Sequence, residues 1–214
     1  MTLILFVYGA CLGSFLVAMA DRYVTGESPF FPPSHCATCS TRLVPWQMVP
    51  ILSYLVLRGR CAYCQANIMP TTLFVEGVTA ILLTTWTPTF TLPLLWLSLW
   101  TFAALCDTQT QTFPGWLSWA ALGISLISQP WSIILLATSL FGLIRWLWPH
   151  WIHPWIGDGD LEMMLGYWLL FGSLSLVHWV LLACGLALLT VRAHVKFAFL
   201  PYLMASALAW WLWP

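Results

Sequence analysis

The sequence predicts an all-α polytopic membrane protein of about eight transmembrane helices, with a zinc-stapled polar loop domain after the first helix. Three observations carry this. The 214 residues are 61% hydrophobic and only 7% charged, far below the roughly 25% charge of a soluble domain. The apolar stretches are continuous rather than alternating, which favours spanning helices over a β-barrel. Four cysteines stand as two CxxC pairs in the one long polar stretch. A chain with seven Lys/Arg against seven Asp/Glu cannot give a globule a polar shell. Soluble enzymes, disordered proteins and nucleic-acid binders are therefore excluded. Sixteen Trp are expected at the membrane–water boundary, where indole rings concentrate.

A crossing needs about 20 apolar residues. The first runs from Thr2 to Ala20. It has no basic start, and Gly9 and Gly13 interrupt it, so a cleaved signal peptide is the weaker reading. The polar stretch Asp21–Pro70 follows. Further spans are expected at Thr71–Trp86, Leu92–Cys106, Trp116–Ser128, Trp131–Trp148, Leu161–Gly172, Leu174–Val191 and Phe197–Trp213. Thr87-Pro88-Thr89, Gln129-Pro130, Pro149–Pro154 and Ala193–Lys196 mark turns. Leu161–Val191 reads either as one kinked element or as two helices. The expected domains are the first helix over 1–20, a four-cysteine loop domain over 21–70 and a seven-helix core over 71–214.

Charge sets the orientation. With the N-terminus outside, Arg22, Arg42, Arg58, Arg60, Arg145, Arg192 and Lys196 all fall on the cytoplasmic side, as the positive-inside bias asks. Asp107, Asp158, Asp160 and Glu162 fall on that side too. Glu76 lies well inside a span, where an acid is either functional or partnered across a helix interface by an Arg or a backbone donor.

Cys36-Ala-Thr-Cys39 and Cys61-Ala-Tyr-Cys64, separated by 21 residues, offer four thiolates to one tetrahedral Zn²⁺. Such a set leaves no open position and is structural. Two disulfides are one rival, disfavoured in a reducing cytoplasm, and a redox CxxC is another, disfavoured because no thioredoxin-like βαβ pattern surrounds either pair. Cys11, Cys106 and Cys184 are single and read as small apolar residues. His150 and His153, with Asp158 or Asp160, form a second, weaker metal candidate, because Pro149 and Pro154 deny them a helix.

Asp107 ends a span, with Pro114 beyond it. Asp160 follows Gly157 and Gly159 where a helix begins. Each acid alone reads as a helix cap or an Arg partner. Together, two coupled carboxyls share a proton, so that one takes a proton from water while the other polarises a peptide carbonyl.

These motifs resemble the prepilin peptidases, membrane aspartic proteases with a GxGD motif. The resemblance rests on Gly13-Ser14-Phe15-Leu16 with Arg22, and on His35-Cys36-Ala37-Thr38-Cys39. It continues through Trp46, Val49–Leu55 and Leu57-Arg58-Gly59-Arg60-Cys61. Val75-Glu76, Asp107 with Pro114, and Gly157-Asp158-Gly159-Asp160 complete it. It implies that Asp107 and Asp160 are the catalytic pair. The implied substrate is a type IV prepilin or type II secretion pseudopilin with a short basic leader, cut at the cytoplasmic face of a bacterial inner membrane. The N-terminus would be periplasmic, and membrane lipids rather than nucleic acid the surroundings. Many members also methylate the new N-terminus with S-adenosylmethionine, the second implied cofactor beside Zn²⁺. This chain departs from the pattern at Val17, where Asn is usual, at Glu162, where Lys is common, and at the extra acid Asp158. Asp21, Glu27, Asp158 or Glu162 are expected to attract the basic leader. An ion-coupled transporter using Asp107, Asp160 and Glu76 is a rival function, as is a non-catalytic assembly protein that docks through its zinc loop.

Overall fold

The computed structural model describes residues 1–127, 129–147, 150, 157–190 and 198–212, the side chains of 158, 210 and 212 excepted. His153, Pro149, Pro154, Arg192 and Lys196 lie outside the described residues. The described chain is helical, with two isolated antiparallel bridges, His35 with Arg42 and Arg60 with Asn67. It divides into two units, Met1–Pro88 and Thr89–Pro214.

In the first unit α1 covers Thr2–Thr25, α2 Leu52–Val56 and α3 Pro70–Thr84. The first helix runs past the expected Ala20 because nothing breaks it before Gly26. That residue stops it in the left-handed region (φ 74°), its N–H returning to the Arg22 and Tyr23 carbonyls. α1 packs on α3 through its small residues. A Cβ on Gly9 would lie 2.7 Å from Ala80 Cα, and one on Gly13 2.8 Å from Glu76 Cα. Both glycines thus let the two backbones touch, the use membrane helices make of a GxxxG pair. α1 is long and apolar enough to cross a membrane, and so are Pro88–Thr110 and Gly159–Thr190.

In the second unit α4 covers Thr91–Thr110, α5 Trp116–Leu126 and α6 Trp131–Leu147. α7 covers Asp158–Thr190 and α8 Leu200–Leu212. α7 is interrupted at Gly172, whose φ of 83° and ψ of 174° lie in a region open to glycine alone. The stretch read as one kinked element or two is therefore two helices joined at one residue. The core of this unit holds Trp96, Trp100, Met163, Tyr167, Trp179 and Leu203, all nearly inaccessible. Tyr167 stacks on Trp179 with centroids 4.1 Å apart, and the Trp179 indole N–H donates to the Leu203 carbonyl at 2.7 Å. This corrects the expectation for tryptophan. Trp116, Trp131 and Trp146 sit exposed near helix ends, as a boundary residue should, but Trp96, Trp100 and Trp179 are core. A large ring fills space between helices, and packing rather than the boundary claims it.

Candidate active site and metal centre

The metal centre belongs to the first unit and is built twice by the same local geometry. After the first pair, the Ser40 N–H donates to the Cys36 carbonyl at 2.8 Å, and the Cys36 N–H to the Thr41 carbonyl at 3.0 Å. After the second, the Gln65 N–H donates to the Cys61 carbonyl at 3.1 Å, and the Cys61 N–H to the Ala66 carbonyl at 2.9 Å. Ser40 and Gln65 both take left-handed φ, 55° and 61°, which turns each CxxC into a tight knuckle. A left-handed non-glycine residue costs about 1–2 kcal/mol, so something must hold each turn.

The four Sγ atoms lie within 4.8 Å of one another, with Cys36 and Cys64 3.8 Å apart. A Zn–S bond of about 2.3 Å puts tetrahedral sulfurs about 3.8 Å apart, so the donor set fits Zn²⁺. All four are free thiols. The Thr41 hydroxyl, then its backbone, hold the Cys39 thiol down to about 6. The Cys64 and Tyr63 N–H groups lower Cys61. At Cys64 the Ala66 N–H also lowers the thiol, but burial and the three neighbouring sulfurs outweigh it and push it up to about 11. Four crowded sulfurs cannot all ionise without a cation between them.

Glu76 finds the backbone donor weighed in the sequence. It is buried, and its Oε2 accepts the Ile51 N–H at 2.6 Å. In the same unit Glu27 faces His35 at 3.4 Å.

The acids belong to the second unit. Asp107 lies inside α4, not in the turn after it, because the helix continues to Thr110 and closes on Gln111 at φ 55°. Asp160 opens α7 and is buried, and its Oδ2 accepts the Gly157 N–H at 3.3 Å. That contact is a cap across the first turn, so the capping expectation and the buried acid coincide in one residue. Gly159 has no room for a Cβ because the Phe113 ring occupies the place. Phe113 in turn meets Trp100 edge to face, centroids 5.9 Å apart. The segment that follows Asp107 is thereby folded onto the segment that precedes Asp160.

Sequence reading missed the role of Glu162. Its side chain is 2% exposed and stands 2.7 Å from Arg145 Nε as a close ion pair, with Arg145 Nη2 3.3 Å from the Gly115 carbonyl. Glu162 is therefore no surface acid for a basic leader. The signal was present: Arg145 is the sole basic residue between Arg60 and Arg192, and a lone Arg among apolar helices needs an acid. His150 Nδ1 stands 2.7 Å from the Trp146 carbonyl, at its own helix end. Among the described residues, the four cysteines are the one metal-competent group. Cys106 is buried, as a small apolar residue would be, while Cys11 and Cys184 are exposed.

A family model described as the bacterial peptidase A24 N-terminal domain matches residues 7–90. The type 4 prepilin-like proteins leader peptide-processing enzyme of Escherichia coli O78:H11 is 31% identical over 245 residues, covering 95% of this chain and 90% of that protein. The chain belongs to the prepilin leader peptidase family. Prepilin leader peptidase/N-methyltransferases of Myxococcus xanthus and Legionella pneumophila are 30% and 36% identical over 189 and 106 residues. Those matches cover 79% and 47% of this chain but only 56% and 37% of the relatives' length. No solved structure matches. Within this family the four-cysteine unit falls in the portion that the N-terminal domain model covers.

Proposed function

We propose that this chain is a membrane aspartic endopeptidase that removes the short basic leader of a type IV prepilin or type II pseudopilin at the cytoplasmic face of a bacterial inner membrane. The single observation that carries the reading is its identity over 95% of its length to an enzyme named for processing prepilin-like leader peptides. Asp107 and Asp160 are assigned as the catalytic pair. One carboxylate takes a proton from water, which attacks the scissile carbonyl. The other, protonated, donates toward the developing oxyanion. The burial of Asp160 and the fold of Phe113 onto Gly159 support the assignment. A buried acid accepts a shared proton more readily than a solvated one.

Eight crossings with a periplasmic N-terminus are part of the proposal, supported by the one-sided distribution of Lys and Arg. Zn²⁺ held by Cys36, Cys39, Cys61 and Cys64 would brace the loop and take no part in hydrolysis, because four sulfurs close its coordination shell. The N-methyltransferase named in several relatives extends the proposal to methylation of the new N-terminus. The described residues contain no βα turn of the kind that cradles a nucleotide, so no contact is assigned to S-adenosylmethionine and no step is routed through it.

The test is incubation of the detergent-solubilised protein with a prepilin-like substrate. Wild type shortens it by the leader length. Asp107→Asn and Asp160→Asn each leave it intact. Cleavage by either variant at the wild-type rate overturns the assignment.

A further inference from the structure

From Leu43 to Leu57 the chain carries no charged residue, yet Trp46, Met48, Val49, Leu52, Leu55 and Val56 are exposed, Leu52 by 61% and Val56 by 69%. A polar loop would not present such a face to water. Its depth can be read from α1. Glu76 Cα lies against Gly13, midway along the apolar stretch that ends at Ala20. Gly13 is about 12 Å along the helix from Asp21, at 1.5 Å per residue. A glutamate side chain spans about one helical turn, about 5.4 Å, and the Ile51 nitrogen is 2.6 Å beyond it. The Ile51 backbone therefore lies some 4 Å or more below the level of Asp21.

Backbone at that depth must have its donors satisfied without water. Pro45 and Pro50 have none to satisfy. Val44 donates to Gln47 Oε1. Gln47, Val49, Ser53, Leu55 and Leu57 donate to carbonyls within the segment. Leu52 donates to the Pro50 carbonyl at 2.6 Å across Ile51, whose φ of 63° and ψ of −55° make a γ-turn that is rare and strained. The Ile51 N–H points out of that turn, and Glu76 accepts it.

We propose that Val44–Leu57 is a re-entrant element that dips into the bilayer, presents Leu52, Leu55 and Val56 to lipid, and is pinned there by the Glu76 carboxylate. The Glu76 that holds it belongs to α3, which packs along α1, a helix long and apolar enough to cross a membrane. Trp46 is half exposed at the start of the element, a residue type that suits the membrane–water boundary. The proposal stands on this unit alone and does not need the peptidase reading.

The test uses the full chain in nanodiscs of phosphatidylethanolamine and phosphatidylglycerol, with p-benzoylphenylalanine at Leu55, Val56 or, as a loop control, Tyr63. Irradiation should give protein carrying one phospholipid mass at Leu55 and Val56. The yield should exceed that at Tyr63 by on the order of tenfold, the preference that burial of one large apolar side chain gives. A Val56 yield equal to that of Tyr63 means an aqueous face and overturns the proposal. Cross-links into protein instead of lipid mean a covered face and overturn it too. Glu76→Leu should bring the Val56 yield toward the Tyr63 value, while Glu76→Gln, whose amide oxygen still accepts, should keep it. Zinc content equal to wild type shows that each variant folds. An unchanged yield in a zinc-replete Glu76→Leu overturns the role of the carboxylate.

Discussion

The metal centre and the acid site are made in opposite ways. Each cysteine pair brings its own turn, with backbone hydrogen bonds that close within a few residues, so its geometry is local and repeats. Asp107 and Asp160 come from separate helices. One ring, Phe113, six residues after Asp107, lies on one glycine, Gly159, next to Asp160. Local construction tolerates change elsewhere in the chain. Construction from distant helix ends would make a site of the proposed pair depend on packing far from the two acids.

The comparison breaks most sharply at the acids. Asp107→Asn or Asp160→Asn should lower leader cleavage by roughly 10²–10⁴-fold or more, with zinc content unchanged, as read by gel mobility of the substrate and metal analysis. If zinc falls as well, the two sites are not built independently. Next comes metal removal. A structural zinc site contributes on the order of 10 kcal/mol of apparent binding energy. A strong chelator, or Cys39→Ser with Cys64→Ser, should therefore open residues 26–69 to limited proteolysis while the second unit stays resistant. Equal cleavage in both regions would erase the distinction.

Arg145→Ala removes the cation paired with the buried Glu162 and should destabilise the second unit by about 3 kcal/mol, the low end for a buried pair because Arg145 is 33% exposed. Arg145→Leu with Glu162→Leu should recover most of this in a double-mutant cycle read by thermal unfolding. Smaller still, Gly159→Ala should cost about 1–3 kcal/mol through overlap with Phe113. The same change should reduce cleavage, whereas an alanine at Gly123, where a Cβ meets nothing within 4 Å, should alter neither.

How much of this could be read beforehand follows from the same contrast. The helices were legible because apolar runs end at Gly, Pro and polar pairs: those signals give the starts at Trp116 and Trp131 and leave Leu161–Val191 open between one kinked element and two helices, which the backbone at Gly172 decides. The cysteine cluster was legible because ligand spacing is short-range. Three features were not. The extension of α1 to Thr25 and of α4 to Thr110 places polar residues in helices, and hydropathy is blind to polar turns. The Arg145–Glu162 pair joins helices whose separation in sequence says nothing of their contact. The fate of Trp96, Trp100 and Trp179 depends on which helix face points inward, and a helix that is apolar all round does not record this.

Gly172 carries a consequence for the path of the second half of α7. An uninterrupted helix of 33 residues would be a rod of about 50 Å, far more than one bilayer thickness, and could only pass through once with its excess projecting. A reversal at a residue without a side chain lets the same length go out and return. Tyr167 on one side of the break stacks on Trp179 on the other, 4.1 Å apart, so the chain does double back there, and the path of the whole second half hangs on a single hydrogen atom in place of a methyl.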